Sequence, residues 1–382
     1  MPKLDLVVYG ASGFTGRLVA RYLAQHAPPT LRWGLAGRTL DKLEAIKSEC
    51  VSLNPSLAAL VPLILGDGAT IGAVAASAVA VISTAGPFSL YGEPLLAACA
   101  EQGTHYADIT GETAWVEAME AKYGARARAT GAIIVPMCGL DSLPSDLGAL
   151  FAVERARQRC SGAGVSSVTT YIQMRGGVSG GTIATGRAIA AHPVLSVRSR
   201  DPFLLVPASE GHAPSQLVAP LPDSTWPAWV PTLQAYATHG VMAALNVKVV
   251  RRSAGLFACR GAALAAATGE AAAALPRRLA APSELTASPY AYSRAAPFGY
   301  SEYGVVRSYL SALLAKVAGV VIGALLFQPW VFACVSGWLP KQGQGPSDAS
   351  IAKGWFHYYV LARTEEAVPR TVAIKVSGGD PG

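Results

Sequence analysis

The first 150 residues alternate short apolar runs with longer stretches in which apolar positions recur at helical spacing. This alternation predicts strands separated by helices, which is typical of a parallel sheet covered by helices on both faces. The predicted strands are Leu4–Tyr9, Leu31–Ala36, Ala59–Leu65, Ala78–Ser83, Thr104–Asp108 and Ala132–Pro136. The predicted helices are Thr15–His26, Leu40–Cys50, Glu93–Gln102 and Thr113–Thr130. We therefore expect residues 1–150 to form an α/β domain of the doubly wound, Rossmann type.

The alternation ends near residue 151, where a second domain is predicted to begin. A strand at Ser167–Met174 is followed by irregular and alanine-rich segments, so we expect residues 151–382 to form an α+β domain. We expect this domain to bind the substrate and to carry the contact of a homodimer. Its proline-rich stretch Pro202–Pro231, with Trp226 and Trp229, predicts a long surface loop that is either a plain connection or a cover over substrate or membrane.

One segment of the second domain, Val317–Leu339, carries no charge and is long enough to cross the hydrocarbon core of a bilayer. Proline at position 329 predicts a kink, because it removes a backbone donor from the middle of a helix. Residues typical of a membrane interface lie within or beside the segment, namely Lys316, Trp330, Trp338 and Lys341. Two interpretations follow: a kinked span or re-entrant hairpin in a membrane, or a helix buried in the second domain.

The composition narrows the possible classes of protein and partner. The chain has 382 residues, of which 51% are hydrophobic and 14% charged, so it can bury a sizeable core. Its formal charge of +7 is scattered, which argues against nucleic acid as a partner and suits an anionic cofactor or membrane surface. Its cysteines lie far apart without metal-binding spacing, so we expect no metal and a reducing compartment. Because no signal peptide is evident, we expect the catalytic domain to face the cytosol or an organelle interior.

The stretch GASGFTG, residues 10–16, joins the first predicted strand to the first predicted helix. Unpaired N–H groups and the positive end of the helix dipole meet at this junction, and both attract phosphate. Gly10 permits the sharp turn, Gly13 lets the backbone approach a pyrophosphate, and Gly16 lets the helix pack closely on the strand. The predicted cofactor contacts in this loop are Gly10, Ser12, Gly13, Phe14, Thr15 and Gly16.

The end of the second strand indicates which dinucleotide is bound. An acidic residue there would hold the ribose hydroxyls of NAD, whereas this chain has Arg38, which can pair with the 2'-phosphate of NADP. The sequence therefore favours NADP(H). Further predicted cofactor contacts are Asp67, after the third strand, and Thr84, Ala85, Gly86 and Pro87, after the fourth.

The groups that would complete hydride transfer are less well defined. A Tyr and Lys pair at the spacing used by short-chain dehydrogenases is absent from the sequence. Polar residues cluster instead in two loops at the carboxyl ends of strands, His105–Glu112 and Met137–Asp146. The catalytic candidates are Tyr91, Asp108, Asp141 and Ser142, and helix capping is the alternative role for residues in these loops. Arg175–Thr182, RGGVSGGT, predicts a glycine-rich turn into a helix, which either binds a carboxylate or carbonyl or is only structural.

Several of these stretches together resemble the saccharopine dehydrogenase-like oxidoreductases, including the trans-acting enoyl reductases of lipid biosynthesis. The matching stretches are GASGFTGRLVARYL, LAGRTLDKL, GPFSLYGEPLLAAC, GTHYADITGE, CGLDSLPSDLG, SGGT, KQGQGPSDASIAKGWF and SGGDPG. The resemblance implies an NADP-binding Rossmann domain followed by an α+β domain, in proteins associated with lipid droplets, mitochondria or the plasma membrane. It also implies a role in glycolipid or related lipid metabolism.

Two departures from the family pattern accompany this resemblance. Members continue past SGGDPG into a helix-rich tail, so we expect a chain that stops at Gly382 to be a shortened or atypical member. True saccharopine dehydrogenases need a cationic cluster for the carboxylates of their substrate, and this sequence offers only Arg175 and Arg187. The main hypothesis is therefore a membrane-associated NADP(H)-dependent reductase acting on a lipid-linked substrate. The alternatives are a soluble saccharopine-type dehydrogenase and a non-catalytic nucleotide-binding scaffold on lipid surfaces.

Overall fold

The computed structural model describes residues 3–57, 62–66, 70–206, 218–220, 227–240, 242–266, 292–293 and 297–379. Within these residues, six strands form a parallel sheet in the order β3-β2-β1-β4-β5-β6. They are β1 (Leu4–Tyr9), β2 (Trp33–Gly37), β3 (Leu63–Leu65), β4 (Ala78–Ser83), β5 (His105–Asp108) and β6 (Ile134–Val135). The helices around them are α1 (Phe14–His26), α2 (Leu40–Leu53), α3 (Ile71–Ser77), α4 (Phe88–Tyr91), α5 (Glu93–Gln102) and α6 (Thr113–Thr130).

The central strands of this sheet are buried on both faces, as the continuous apolar runs predict. Val8 and Leu35 pack on the side of α1 and α2. Val7 and Ala36 pack on the opposite side, in a cluster with Phe88. The doubly wound arrangement is confirmed, and the predicted bounds of β1, β4, α5 and α6 are the observed ones.

Other predicted bounds differ from the observed ones. The strand predicted at Leu31–Ala36 is shifted toward its carboxyl end, and the one predicted at Ala132–Pro136 contracts to Ile134–Val135. Of the strand predicted at Ala59–Leu65, residues 58–61 lie outside the described residues, and the rest contains β3. The short helices α3 and α4 lack the length over which a helical repeat becomes recognisable.

A second sheet follows, with seven strands in the described part of the chain. Its order is β13-β12-β7-β11-β10-β9, and β8 pairs with β11. The strands are β7 (Val165–Arg175), β8 (Val218–Pro220), β9 (Ala228–Val230), β10 (Ala235–His239), β11 (Phe298–Val306), β12 (Trp355–Thr364) and β13 (Thr371–Gly378). Parallel and antiparallel pairs occur together, so the predicted α+β class of this part is confirmed.

The helices of the second part are α7 (Leu143–Arg159), α8 (Gly180–Ala191), α9 (Pro193–Arg198), α10 (Ala243–Ala266), α11 (Tyr309–Phe327), α12 (Pro329–Val335) and α13 (Asp348–Ile351). The described residues also include a 3-10 turn at Ser336–Trp338, and the first part has one at Pro55–Leu57, after α2. Helix α7 runs through the predicted domain boundary after residue 150. Its buried side, including Ala152 and Ala156, joins a core with β7 and β12 of the second sheet. The boundary itself stays a prediction.

A buried carboxylate connects α7, α10 and β11. Glu302 accepts hydrogen bonds from Ser145 Oγ at 2.7 Å, Asn246 Nδ2 at 2.8 Å and Tyr300 Oη at 2.9 Å. Its burial raises the pKa of the Glu302 carboxyl. Because Ser145 lies on the helix that follows the first sheet, this cluster fixes how that helix is seated against the second sheet.

The segments expected to form a loop and an apolar helix are both subdivided. The prediction of one uninterrupted loop at Pro202–Pro231 is wrong, because this stretch contains β8 and β9, which pair with β11 and β10 respectively. Residues 207–217 and 221–226, including Trp226, lie outside the described residues.

The predicted kink at proline 329 is confirmed, since α11 ends at Phe327 and α12 begins at Pro329. No helix in the described part of the chain combines the length and apolar character needed to cross a bilayer. Membrane contact by Val317–Leu339 stays a prediction.

The approach of α1 to the sheet depends on the absence of a side chain at Gly16. A Cβ there would lie 2.2 Å from the Gly10 carbonyl oxygen and 2.7 Å from Thr84 Oγ1. The first is a backbone atom, and the second belongs to a half-buried side chain that is itself bonded to the backbone, so either the helix or the loop would have to shift.

We predict that Gly16→Ala lowers the free energy of unfolding by about 1–3 kcal/mol, because of overpacking at this contact. Denaturant unfolding followed by circular dichroism measures the change. Gly124→Ala is the control, since a Cβ at Gly124 in α6 meets no atom nearer than 3.5 Å. The control should be neutral or stabilising, and equal stabilities of the two variants would contradict the packing argument.

Candidate active site

The loop between β1 and α1 is shaped as a phosphate cradle. Gly10 has φ of +79°, a left-handed conformation that glycine adopts without strain. Its N–H donates to the Ala36 carbonyl at 2.9 Å, and the Gly13 N–H donates to the Gly10 carbonyl at 2.9 Å. Gly13 precedes α1 without a side-chain cap, so the first N–H groups of the helix are available to a phosphate. The predicted contacts Ser12, Phe14 and Thr15 lie at this helix start.

The segment after β4 holds this cradle in place. The Thr84 backbone N–H donates to the Tyr9 carbonyl at 2.9 Å, and its hydroxyl lies 3.0 Å from the same oxygen. That hydroxyl also lies 3.2 Å from the Gly10 carbonyl. Thr84 therefore positions the glycine loop, and Ala85, Gly86 and Pro87 follow at the same edge of the sheet.

Arg38 and Tyr91 meet at the end of β2. The exposed Arg38 guanidinium lies 5.9 Å from the centre of the Tyr91 ring, within range of a cation–π contact. Arg38 thus occupies the end of β2 where the sequence predicts a partner for a ribose phosphate. Asp67, the other contact predicted on this side, lies outside the described residues.

Two buried carboxylates organise the carboxyl ends of β4 and β5. Glu112 accepts hydrogen bonds from the N–H groups of Phe88 at 2.6 Å and Ser89 at 3.1 Å, and so caps the short helix α4. Asp108 accepts from Tyr106 Oη at 2.9 Å, Thr110 N at 3.0 Å and Met137 N at 3.0 Å.

Burial raises the pKa of Asp108 to about 6, and its hydrogen bonds partly offset that effect. The side chain is fully buried, and its three donors come from β5 itself and from the loops after β5 and β6. These contacts describe a structural carboxylate. They do not support the catalytic role predicted for Asp108, which stays a prediction.

Asp141 and Ser142 lie in the turn between β6 and α7. The Ser142 Oγ is buried and has no hydrogen-bond partner among the described residues. Asp141 is half-buried, and desolvation raises the pKa of its carboxyl. The described residues provide no hydrogen bond to that carboxyl, so it differs from the fully engaged Asp108.

A pocket of about 750 Å³ borders the nucleotide-binding part of the site. One wall is Pro87, Leu90 and Tyr91, next to Arg38. A second wall is one face of α8, formed by Gly180, Ile183, Ala184, Arg187, Ala188 and Ala191. A third comes from residues 332–342, which include the end of the apolar segment.

The predicted glycine-rich turn before α8 is confirmed, and its glycine has a packing role. Ser179 caps the helix by accepting a hydrogen bond from the Thr182 N–H at 3.3 Å. A Cβ at Gly180 would lie 2.0 Å from the Lys341 carbonyl oxygen, so the helix start and residues 340–344 touch through their backbones.

Residues 341–348 connect the pocket to the glycine loop, which the sequence pattern did not indicate. Gln342 Nε2 donates to the Gly86 carbonyl at 2.8 Å, and Gly345 packs against the Phe14 ring. Asp348 pairs with Arg21 of α1 at 3.2 Å. KQGQGPSD was notable only as part of the family resemblance, since glutamine and glycine have no spacing that reveals a distant partner.

The residues present fit a dinucleotide. Gly16 lets α1 start close to the turn at Gly10, the start of α1 lacks a side-chain cap, and Arg38 is exposed at the end of β2. The family profile of the saccharopine dehydrogenase NADP binding domain matches residues 6–135. A trans-acting enoyl reductase of Mycobacterium tuberculosis is 32% identical over 384 residues, covering 95% of this chain and 81% of the relative. One of Mycobacterium ulcerans is 31% identical over 376 residues, covering 93% and 79%.

Among solved structures, apo saccharopine dehydrogenase (L-Glu forming) of Saccharomyces cerevisiae aligns with 98% of this chain and 86% of its own. The TM-score is 0.47 and the sequence identity 13%. The sequence relatives establish the family at near full length of the chain. The chain therefore belongs to the saccharopine dehydrogenase-like oxidoreductases, together with the trans-acting enoyl reductases, and is an NADP-dependent oxidoreductase.

Proposed function

We propose that this protein uses NADPH to reduce a carbon–carbon double bond conjugated to the carbonyl of a lipid-linked acyl chain. The observation that carries this proposal is the pocket, because it is bounded by Pro87–Tyr91 of the nucleotide domain and by the end of the apolar segment. The enoyl reductase names of the sequence relatives agree with it.

The chain's own residues provide for binding of the cofactor. The N–H groups at the start of α1 would hold the pyrophosphate, and Arg38 would pair with the 2'-phosphate that distinguishes NADP from NAD. When bound, NADPH supplies the hydride that adds to the β carbon of the double bond. The Arg38–Tyr91 contact keeps the guanidinium at the end of β2, so Tyr91 acts there as a positioning residue.

Reduction of the double bond also requires a proton at the α carbon, and Asp141 is the best-suited donor among the four predicted catalytic residues. Its carboxyl is half-buried at the carboxyl edge of the sheet, and its raised pKa favours the protonated form. Asp108 is occupied by three donors, and the Tyr91 ring is engaged with the Arg38 guanidinium.

The chemistry of the pocket suits an acyl chain better than an amino acid adduct. Its lining contains two cations, Arg187 and Lys341, among apolar, small and uncharged polar residues. A saccharopine-type substrate would need a cluster of cations for its carboxylates, which this lining does not supply.

We also propose that the protein works at a membrane or lipid-droplet surface. Leu310, Leu314, Val317 and Val321 are exposed at helical spacing along α11. Trp330 is 71% exposed and Trp338 is 92% exposed, in the segment that continues to the pocket. Exposed indoles beside an apolar helical face are typical of a membrane interface, and the net charge of +7 favours anionic lipid.

The role of Arg38 predicts a change in cofactor preference. Arg38→Ala should weaken NADPH binding about 10- to 100-fold, because a charge-assisted pair is lost, and leave NADH binding unchanged. Fluorescence titration with both cofactors measures this. The control Arg32→Ala changes an arginine before β2, at the other end of the strand, that pairs with Asp5. Equal affinity of the wild type for both cofactors would refute the 2'-phosphate argument.

The roles of the pocket and of Asp141 predict changes in different kinetic constants, KM and kcat respectively, with a trans-2-dodecenoyl thioester as substrate. Ala184→Trp should raise KM about tenfold or more by filling the pocket. Asp141→Asn should lower kcat about 100-fold with little change in KM, because general acid catalysis contributes about 10²–10⁴-fold. The wild-type kcat should fall as pH rises above the pKa of Asp141, and D141N should lose that dependence.

NADPH oxidation and the mass shift of the product measure these rates. Exposed Arg126 of α6 provides the control variant Arg126→Gln, which should leave both constants unchanged. If NADPH binds but no acyl substrate in a broad panel is reduced, the proposal is wrong and the non-catalytic scaffold is favoured. If D141N keeps the wild-type rate and pH profile, another group donates the proton.

The membrane proposal predicts flotation with vesicles of phosphatidylcholine and phosphatidylglycerol. The double variant Trp330→Ser, Trp338→Ser should lower the partition coefficient about tenfold or more, since two exposed indoles no longer enter the interface. Tyr22→Ser, which removes an exposed aromatic residue from α1, is the control. If the wild-type protein stays in the soluble fraction, the proposed membrane association is wrong.

A further inference from the structure

The pocket beside the nucleotide domain contains an arginine whose charge no described residue balances. Arg187 projects from the α8 wall, and its guanidinium carbon lies 3.5 Å from the centre of the Phe332 ring. The side chain is half-buried. Within the described residues it forms no ion pair with a carboxylate and no hydrogen bond.

Two other half-buried arginines of this protein form ion pairs. Arg17 pairs with Glu49 at 2.7 Å, and Arg252 pairs with Glu120 at 2.7 Å. A cation that is partly withdrawn from water without such a partner is unfavourable, and stacking on one aromatic face offsets only part of that effect. The arrangement is therefore best completed by an anion that enters with a ligand.

The position of Arg187 suits a particular kind of anion. Its guanidinium lies over the Phe332 ring, and a guanidinium has N–H donors that can form two parallel hydrogen bonds with a carboxylate or phosphate. Lys341, also in the lining, adds a second positive charge, and no acidic residue belongs to the lining among the residues that the structure describes.

The remaining lining suits a hydrocarbon chain. Ile183, Ala184 and Ala188 continue along the face of α8 that carries Arg187, and Leu339 belongs to the facing wall. The pocket volume of about 750 Å³ lies within the range of about 300–1,000 Å³ that is usual for small-molecule sites. The two cations and an extended apolar wall are the complement of an amphiphile with an anionic end.

We infer that this pocket binds an acyl chain that carries a carboxylate or phosphoester anion, and that Arg187 pairs with the anion and selects for it. The inference rests on the proposed function, since it assigns the chemical class of the ligand of the same pocket. Arg187 is a specificity-determining residue in this scheme, while the α8 wall binds any chain of suitable length.

Calorimetric titration of the full chain with dodecanoate, dodecyl phosphate, dodecanol and inorganic phosphate tests this. The wild type should bind at least one of the two anionic amphiphiles about tenfold or more tightly than dodecanol, and inorganic phosphate weakly. Arg187→Gln should weaken the binding of that amphiphile about 10- to 100-fold and leave dodecanol binding unchanged. The stronger of the two amphiphiles identifies the anion as a carboxylate or a phosphoester.

Two further variants control for charge and folding. Arg126→Gln removes an exposed arginine of α6, outside the pocket, and should keep wild-type affinities. Arg187→Lys keeps the charge but not the paired donors, so it should restore only part of the anion preference. Thermal unfolding of each variant should give a midpoint close to that of the wild type.

Either of two results would overturn this inference. One is that the wild type binds dodecanol and both anionic amphiphiles equally well, and the other is that Arg187→Gln keeps the anion preference of the wild type. Reduction of the trans-2-dodecenoyl thioester, measured in parallel, separates it from the proposed function. Arg187-dependent binding without any turnover would leave the inference standing and overturn the proposed reaction. Turnover without an anion preference would support the proposed reaction and overturn the inference about Arg187.

Discussion

The close contact between Gly16 and the Gly10 carbonyl determines where the rest of the site can lie. Because no side chain intervenes, α1 approaches β1 closely enough for its uncapped N–H groups to meet the turn at Gly10. Thr84 bonds to the same turn from β4, so the glycine loop, the first helix and the segment after β4 share one position. The wall of the pocket at Pro87–Tyr91 begins directly after that segment.

Buried carboxylates then fix the elements that surround the glycine loop. Glu112 caps α4 and thereby sets the direction in which Tyr91 reaches Arg38. Asp108 joins the loops after β5 and β6, and Glu302 joins α7 to the second sheet. Each carboxylate accepts hydrogen bonds from at least one donor that is distant from it in sequence, so the two sheets hold the site through a few polar clusters within otherwise apolar cores.

Features with a local cause were predictable from the sequence. The bounds of β1, β4, α5 and α6 follow from apolar periodicity and from terminating glycines, of which Gly103 and Gly131 have positive φ. GASGFTG and Arg38 were identified because strand, turn and helix follow one another within forty residues. Polarity and loop position pointed equally to Asp108 and Asp141, although the Asp108 carboxylate is occupied by three hydrogen-bond donors and the Asp141 carboxylate is not. Only the three-dimensional partners separate a structural carboxylate from an available one.

The pocket could not be predicted, because its walls are brought together from three distant stretches. Arg187 and Phe332 are 145 residues apart, and neither residue type in its local context indicates the other. Their meeting depends on the backbone contact between Gly180 and Lys341, which brings α8 against the end of the apolar segment. The same stretch reaches Gly86 through Gln342 and Phe14 through Gly345, so the pocket and the nucleotide loop share a wall. A ligand that moves residues 341–345 would therefore also displace neighbours of the glycine loop, and occupation of the pocket would then be linked to occupation of the nucleotide site.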